Sequence, residues 1–535
     1  MRITTKVIQN NALSNINTNK ILQNKLNTQM TTEKKITRPS DDPVVAIRAL
    51  RLRTNVSQVT QFYEKNIPDA ESWMKVTEDA LSTVSDVVTD MIEQCQKGAN
   101  EKLTSTDRAT ILDALTQLKE EVYATGNADY AGRSVFTGYR TESTLKFTAD
   151  TTAKYSITEQ LTPDSIDSVT YISTGNLNTI NDTNYTTNTM KEQSVTETSI
   201  HRIRLSYSDL DGTIPKLEVF DKLENGSPVF KNLQIDDGTG TGTMKDVTTT
   251  VITSMDEALI DEIGADGNPT GNKIVDPDGA FFIKETGELL IGDNVYSELM
   301  KAKDDPTTEN NEAEFRVTYD KSNWKKDDLR PEHYFACTDS TDAAKTITYN
   351  EDYLTSTKEK QSIEYDVGLN QAIKVNTTAD EVFQHSIGRD VDDLLASLQE
   401  VTDMEKTVEK IEKIVASATG TDKTTAQNQL DAANKALTLL KEKSQKLFES
   451  GITKMQGHLN TVNYAVTTAG TRSKKLELIQ NRLMSQKTNF ETLQADNENA
   501  DMTDVAIELK SAQLTYDAAL MATGKIMQTS LMNYI

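Results

Sequence analysis

The stretch VAIELKSAQLTYDAALMATGKI, residues 505–526, decides how the rest of the chain must fold. Val505, Leu509, Ala512, Tyr516, Ala519, Thr523, Ile526 and then Ser530 step alternately by four and three, the spacing that lines one seam of a helix for a partner helix. Asp501 stands where an N-cap belongs, and Asp504 lies in the first turn, where a carboxylate suits the helix dipole. Ala506, Leu520, Met527 and Tyr534 widen the apolar face to the end of the sequence. Chain ends fray unless they are tied down, so this helix requires cover from elsewhere in the chain or from another chain. The other end offers it: Ile8, Ala12, Ile16, Asn19, Leu22, Leu26 and Met30 step by three or four. If both termini are helical and packed, the middle becomes an insertion. The expected fold class is α+β, a long antiparallel helical bundle or coiled coil formed by the N- and C-terminal segments, with an inserted β-rich region.

Composition agrees with that division. Only 36% of the 535 residues are hydrophobic, and the mean hydropathy is −0.55. Those values suit an extended molecule with thin apolar stripes better than one large globule. The net charge of −25 is unevenly spread. Residues 151–387 hold 43 acidic and 21 basic side chains, whereas the flanks together hold 39 and 36. An acidic body without a basic patch speaks against nucleic-acid binding. Cys95 and Cys337 fall in different regions, so no disulfide framework is implied. No apolar run approaches the ~18 residues of a membrane span, and residues 1–13 lack the apolar core of a cleavable signal. The expectation is a soluble chain with no membrane segment.

Taken in order, residues 1–42 read as the N-terminal helix, broken at Arg38-Pro-Ser-Asp-Asp-Pro43 by two prolines and capping residues. Residues 43–150 read as a helical hairpin with a small β-hairpin over Gly132–Tyr139. Within it Ala70, Met74, Thr77, Leu81, Val84, Val88, Met91 and Cys95 repeat four and three, and Ile111, Leu115, Leu118 and Val122 line the next helix. Pro68 marks a helix start or a kink. Residues 151–387 change texture to Thr, Asp, Asn and Gly and read as one or two acidic, surface-exposed β-rich domains. There Asn225-Gly226 between Leu217–Leu223 and Val229–Leu233 signals a hairpin, Ala280–Ile283 with Leu289–Ile291 a second, Glu257–Ile263 a short helix, and Asp236–Gly242 a loop. Helical spacing returns over 388–495 at Leu394, Leu398, Val401, Val408, Ile411 and Val415. It breaks at Gly420 and runs on through Leu476, Ile479, Leu483, Phe490 and Leu493. Residues 496–535 form the C-terminal helix.

Nothing in the chain has the pattern of a catalytic or metal site. The histidines are His201, His333, His385 and His458. His333 and Cys337 are four apart, a helix-clamp spacing, yet no second pair accompanies them and structural zinc takes four ligands. Asp209-x-Asp211-Gly212 and Asp276-x-Asp278-Gly279 open like calcium loops but lack the remaining ligands, so they read as turn carboxylates. No phosphate-binding glycine loop, nucleophile elbow or HExxH motif is present. Asp392-Asp393 reads as solvated helix charge. No cofactor and no enzymatic activity are expected.

Four stretches carry a resemblance. Arg38-Pro39-Ser-Asp41-Asp42-Pro43-Val-Val-Ala46 with Arg48-Ala-Leu-Arg-Leu52 resembles the early signature of the flagellin superfamily, and Gly132-Arg133-Ser-Val-Phe136-Thr-Gly138-Tyr139-Arg140 is similar to a segment of its hook-associated, junction-forming branch. Asn499–Leu509 and Ser530–Ile535 resemble the same branch, so the likeness covers about 150 residues at each end. The resemblance implies a structural axial protein of the bacterial flagellum, at the hook–filament junction, exported by the flagellar type III apparatus without a cleaved signal. Its terminal helices would form an inner tube and the insert would stand outside. The implied partners are a hook-associated protein on the hook side, flagellin on the filament side and a cytoplasmic export chaperone, with self-association in a ring or helical layer. The expected subunit-packing seam is Ile16, Leu22, Leu26 and Met30 with Val505, Leu509, Ala512, Tyr516, Ala519 and Ile526. Filament flagellin shares both terminal architectures, but Gly132–Arg140 and the Asn-Tyr-Ile ending favour the junction branch. A secreted coiled-coil stalk with an adhesive β-rich head is the reading from periodicity alone.

Overall fold

The computed structural model describes residues 5–100, 102–224, 227–236, 243–263, 269–304, 315–354 and 361–532. Its helices in chain order are α1 (Thr5–Thr32), α2 (Pro43–Gln61), α3 (Ile67–Gly98), α4 (Ser105–Thr125), α5 (Asp293–Asp304), α6 (Ala379–Val382), α7 (His385–Ser417), α8 (Gly420–Glu498) and α9 (Met502–Met532). The chain is α+β: long helices from both ends enclose a β-rich middle in sequence. It divides into two compact units, residues 1–71 with 365–373 and 473–535, and residues 72–364 with 374–472.

In the first unit α1 and α9 pack together. Asp41 and Asp42 explain the break between α1 and α2. Asp41 accepts from the Thr37 and Arg38 amides, at 3.2 and 2.9 Å. Asp42 caps α2 by accepting from the Val44 and Val45 amides, with Pro43 at the first helical position, where a missing N–H costs nothing. Asp501 caps α9 in the same way through the Thr503 and Asp504 amides. At Pro68 the chain neither stops nor starts afresh. A π-turn over Phe62–Asn66 connects α2 to α3, one of the recognised ways a helix absorbs the donor that proline lacks.

The second unit combines helices with two larger sheets. Ile347–Tyr349, Ala336–Asp339, Tyr155–Leu161, Phe315–Lys321, Lys216–Glu224 and Ser227–Asn232 form, in that order, an antiparallel six-stranded sheet. Thr249–Ile252, Ala280–Ile283, Glu288–Ile291, Thr196–Arg204 and Ile166–Ser173 form a five-stranded one, whose first pair is parallel. Both expected hairpins are present, 216–224 with 227–232 and 280–283 with 288–291. The turn Asn225-Gly226 and most of the expected loop, 237–242, lie outside the described residues. Glu257–Ile263 is not a helix: Met255–Ala258 is a 3-10 turn and Leu259–Ile263 pairs with Pro269–Val275. Its β-branched residues take ladder partners that local spacing could not reveal. Helix α5, unforeseen, is also in this middle region.

The α3 seam buries every position the spacing selects. Met74, Thr77, Leu81, Val84, Val88, Met91 and Cys95 are all within 1% of full burial. Burial also pushes the Cys95 thiol up to about 12, so it remains a small core hydrophobe. Gly98 ends α3 against Phe448, whose ring would lie 2.3 Å from any Cβ placed there. On α8 the seam holds at Leu476, Ile479 and Leu483 but not at Leu493, which is 51% exposed.

Candidate functional site

The terminal helix pair in the first unit has a defined register. Lys34 bridges Asn499, the Lys35 amide donates to Glu498 O at 2.8 Å, and the Ala500 amide donates to Glu33 O at 2.9 Å. The turn after α1 is thus sewn to the turn before α9, and Leu26 packs with Val505, Leu509 and Ala512. The two helices run antiparallel. Glu33 takes φ +57 to make this turn. Glu498 is the anchor: nearly enclosed, it accepts a fork of bonds from Arg53 Nε and Nη2 at 2.7 and 2.6 Å. The Arg53 bonds, outweighing burial, hold its carboxyl below the usual range.

The seam of α9 is placed as its spacing predicts. Val505 and Ala512 are buried, and Leu509, Tyr516, Ala519 and Thr523 are half-buried. Ile526 lies on α9, but its side chain is outside the described residues. On α1 the inward face is Gln9, Ala12, Ile16, Asn19, Gln23, Leu26 and Gln29. Leu22 and Met30 therefore stand outward, with Val7, Leu13 and Ile21. The reason is period: stepping strictly by three and four from Ala12 and Ile16 arrives at Gln23, whereas Leu22 needs two threes in a row. Helix α9 also has an outward stripe, Ile507, Leu514 and Met521, seven residues apart and 63 to 73% exposed.

In the second unit the Gly132–Tyr139 segment is a joint more than a hairpin. The paired residues are Asp129–Tyr130 with Arg133–Ser134, and Ala131 and Gly132 both take positive φ in the turn. Arg133 lies over the Trp73 ring at 5.0 Å. Beyond the turn Phe136 leaves the ladder for the core, edge-on to Phe383 at 4.8 Å, while its carbonyl accepts from the Ala379 amide. Gly138 has φ +60, and a Cβ there would meet Gln361 Oε1 at 2.1 Å. The family-type residues Arg38, Pro39, Asp41, Asp42 and Pro43 form the capped turn before α2, in the first unit.

A cluster of charges in the second unit was not foreseen. Arg202 and Arg204 leave the same face of strand 196–204. Arg202 Nη2 reaches Asp393 Oδ2 at 2.8 Å, and its Nη1 pairs with Glu288. Arg204 pairs with Asp390 and Asp393, and Asp390 also meets Lys454 at 3.1 Å and His458 at 2.9 Å. Burial pushes the Asp390 and Asp393 carboxyls up, but the His458 hydrogen bond and the charges of Arg204 and Lys454 on one, and the two arginines on the other, outweigh it and hold both low. So Asp393 is not solvated charge, while Asp392 pairs with Lys119. Two signals were available: Arg-x-Arg on one strand face and Asp-x-x-Asp on one helix face. The partners, 186 to 191 residues away, were not.

Of the calcium-like segments, Asp276 makes an ordinary Asx turn by accepting from the Asp278 amide, whereas Asp211 accepts from the amide and hydroxyl of the distant Ser322. His333 closes a 3-10 turn, with Nε2 3.1 Å from Thr144 O, and Cys337 lies in a strand, so helix-clamp spacing does not apply to them. No group of three or more His, Cys, Asp or Glu among the described residues could hold a metal ion. No helix among them is long and apolar enough to cross a membrane.

Comparison with known proteins identifies the N-terminal region. Residues 3–141 match the family model described as the bacterial flagellin N-terminal helical region. The N-terminal region is flagellin-like. The flagellar hook-associated protein 3 of Salmonella typhimurium is 31% identical over 144 residues, 27% of this chain and 45% of that protein. Its Escherichia coli counterpart is 28% identical over the same length and shares. The chain thus spans about half the length of the curated relatives it matches. A solved structure, a putative flagellar hook-associated protein from Vibrio parahaemolyticus, covers 86% of this chain and all of its own at 12% identity, with a TM-score of 0.33. So loose a superposition says nothing of function.

Proposed function

We propose that this chain is a structural axial subunit of the bacterial flagellum, acting as the adaptor at the hook–filament junction. The observation that carries the reading is the flagellin-type N-terminal region, aligned over 144 residues with two hook-associated proteins. The terminal helices support it. Their inner seam is engaged within the chain, yet Ile507, Leu514 and Met521 on α9, with Leu13, Ile21 and Leu22 on α1, remain in water. Apolar surface on helices of this regularity is what neighbouring subunits would cover. The partners would be a hook-associated protein on one side, flagellin on the other, further copies of the chain within the layer, and an export chaperone holding the C-terminal helix before assembly. The protein would be extracellular, with catalysis no part of its role.

Electron microscopy of a deletion strain, with its culture supernatant probed for flagellin, tests this. Hooks without filaments and flagellin shed as monomer are expected. Loss of flagellin from cells and medium alike would make the chain the filament subunit instead, and normal filaments would remove it from the axial structure.

A further inference from the structure

An open cleft of about 560 Å³, within the size range of small-molecule sites, lies in the second unit beside Gly138 and the six-stranded sheet. Tyr139, Arg140, Arg330, Glu332, Asp339 and Tyr349 line it. Its two guanidinium groups are held by the fold. Arg140 donates from Nη1 to Glu332 O at 2.7 Å and from Nη2 to Asn350 Oδ1 at 3.1 Å, and lies over the Tyr349 ring at 4.9 Å. Arg330 donates from Nη1 to Ser143 Oγ at 2.7 Å.

Glu332 is the unexplained member. It is only 5% exposed. Its Oε1 lies 3.3 Å from Arg330 Nε, yet its Oε2 has no hydrogen-bond partner among the described residues. Leaving a buried carboxylate oxygen unmatched is costly, and in folded proteins such an atom usually has a partner that is not always protein. At the lip of the same cleft Tyr139 leaves 65% of its surface in water. Its placement is forced by Gly138, whose left-handed backbone no other residue adopts freely, and by its amide, which donates to Gln361 Oε1 at 2.9 Å.

These features together select a ligand chemistry. Arg140 and Arg330 share the lining with Glu142, Glu332 and Asp339, so a cation would meet two guanidinium groups and an anion three carboxyls. A neutral molecule carrying several hydroxyls suits fixed donors and acceptors set side by side. An exposed tyrosine ring adds a flat apolar face with a polar tip. We propose that this cleft binds a saccharide, with a pyranose face stacked on Tyr139 and a ring hydroxyl donating to Glu332 Oε2. The proposal does not rest on the junction role, since it concerns a pocket of the isolated chain.

Saturation-transfer NMR on the full chain tests it. The probes are the methyl glycosides of glucose, galactose, mannose and N-acetylglucosamine, each at about 10 mM, tenfold above a Kd of about 1 mM. Transfer to the ring protons of at least one is expected. Tyr139→Ala should weaken binding about tenfold or more, and Tyr139→Phe should retain it because the ring survives. Both substitutions are at an exposed side chain, and an unchanged thermal midpoint verifies the fold. Absence of transfer from all four glycosides overturns the proposal, as does transfer undiminished in Tyr139→Ala. Transfer to choline in place of the sugars would mark an ammonium site and overturn it too.

Discussion

His385 makes the stability of the second unit depend on pH well above the carboxylate range. It opens α7 among the rings of Tyr207, Tyr334 and Phe335, at 4.7, 4.5 and 5.3 Å. Its Nε2 has no hydrogen-bond partner among the described residues. Burial, aided by the charge of Arg389, pushes its pKa down to about 3. In the unfolded chain the same imidazole takes its proton at about 6.5. Between those values the unfolded state holds a proton the folded state lacks, so stability falls as pH falls below about 6.5. The slope reaches ~1.4 kcal/mol per pH unit for each such histidine and ends where the folded group itself protonates. From pH 7 to pH 5 the loss at His385 integrates to about 2 kcal/mol. His333, pushed down to about 3 by burial, adds a similar amount. His385→Phe keeps the ring packing and removes the titration, so its acid loss should be smaller than that of the wild type by about 2 kcal/mol. Urea unfolding at about pH 7 and about pH 5, followed by fluorescence, reads this. Trp324 reports the right region, since it packs on Tyr207 at 5.1 Å. Equal acid losses for wild type and His385→Phe would mean that the folded imidazole takes the proton, and the burial argument would fail.

The other predictions concern the charge cluster, a core seam and assembly. Asp393→Ala withdraws the carboxylate shared by Arg202 and Arg204; with Glu288 and Asp390 still in place, thermal unfolding should show a loss near the lower end, about 3 kcal/mol, of what breaking a buried pair costs. No change would mean that Glu288 and Asp390 satisfy both arginines alone. Leu81→Ala, in the fully buried α3 seam, should cost about 3 kcal/mol in urea unfolding, as typical for a buried leucine; a loss under about 1 kcal/mol would indicate that the seam collapses around the gap. Tyr516→Asp puts a charge at the α1–α9 seam and should prevent assembly while leaving the Trp324 emission of the second unit unchanged. Normal filament growth with this variant would detach the seam from subunit packing.

How much of this was legible in the sequence varies from element to element. The α3 seam was readable residue by residue, because a strict alternation of four and three over Met74–Cys95 admits only one buried face. The α9 seam was equally readable from Val505 to Thr523. The α1 seam was not: its inward face carries Gln9, Gln23 and Gln29, and the apolar Leu22 and Met30 point one position aside. There the strength of the α9 pattern and the sewn turns at Lys34–Asn499 set the register, not the hydrophobicity of α1. Glu257–Ile263 failed for a related reason. A short segment takes the structure its partners impose, and the partner strand 269–275 could not be recognised from local spacing.

By itself, then, the sequence determined what depends on neighbours along the chain: the long terminal helices, the capped break at Arg38–Pro43, the hairpins at 216–232 and 280–291, and the acidic middle held between near-neutral flanks. These follow from backbone periodicity and local capping, which act over a few residues. Only the tertiary structure decided which side chains meet across hundreds of residues. Arg53 finds Glu498, Arg202 and Arg204 find Asp390 and Asp393, and Glu332 is set beside Tyr139 with an oxygen to spare. Charged and polar partners have no period of their own, so their pairing exists only once the chain has folded.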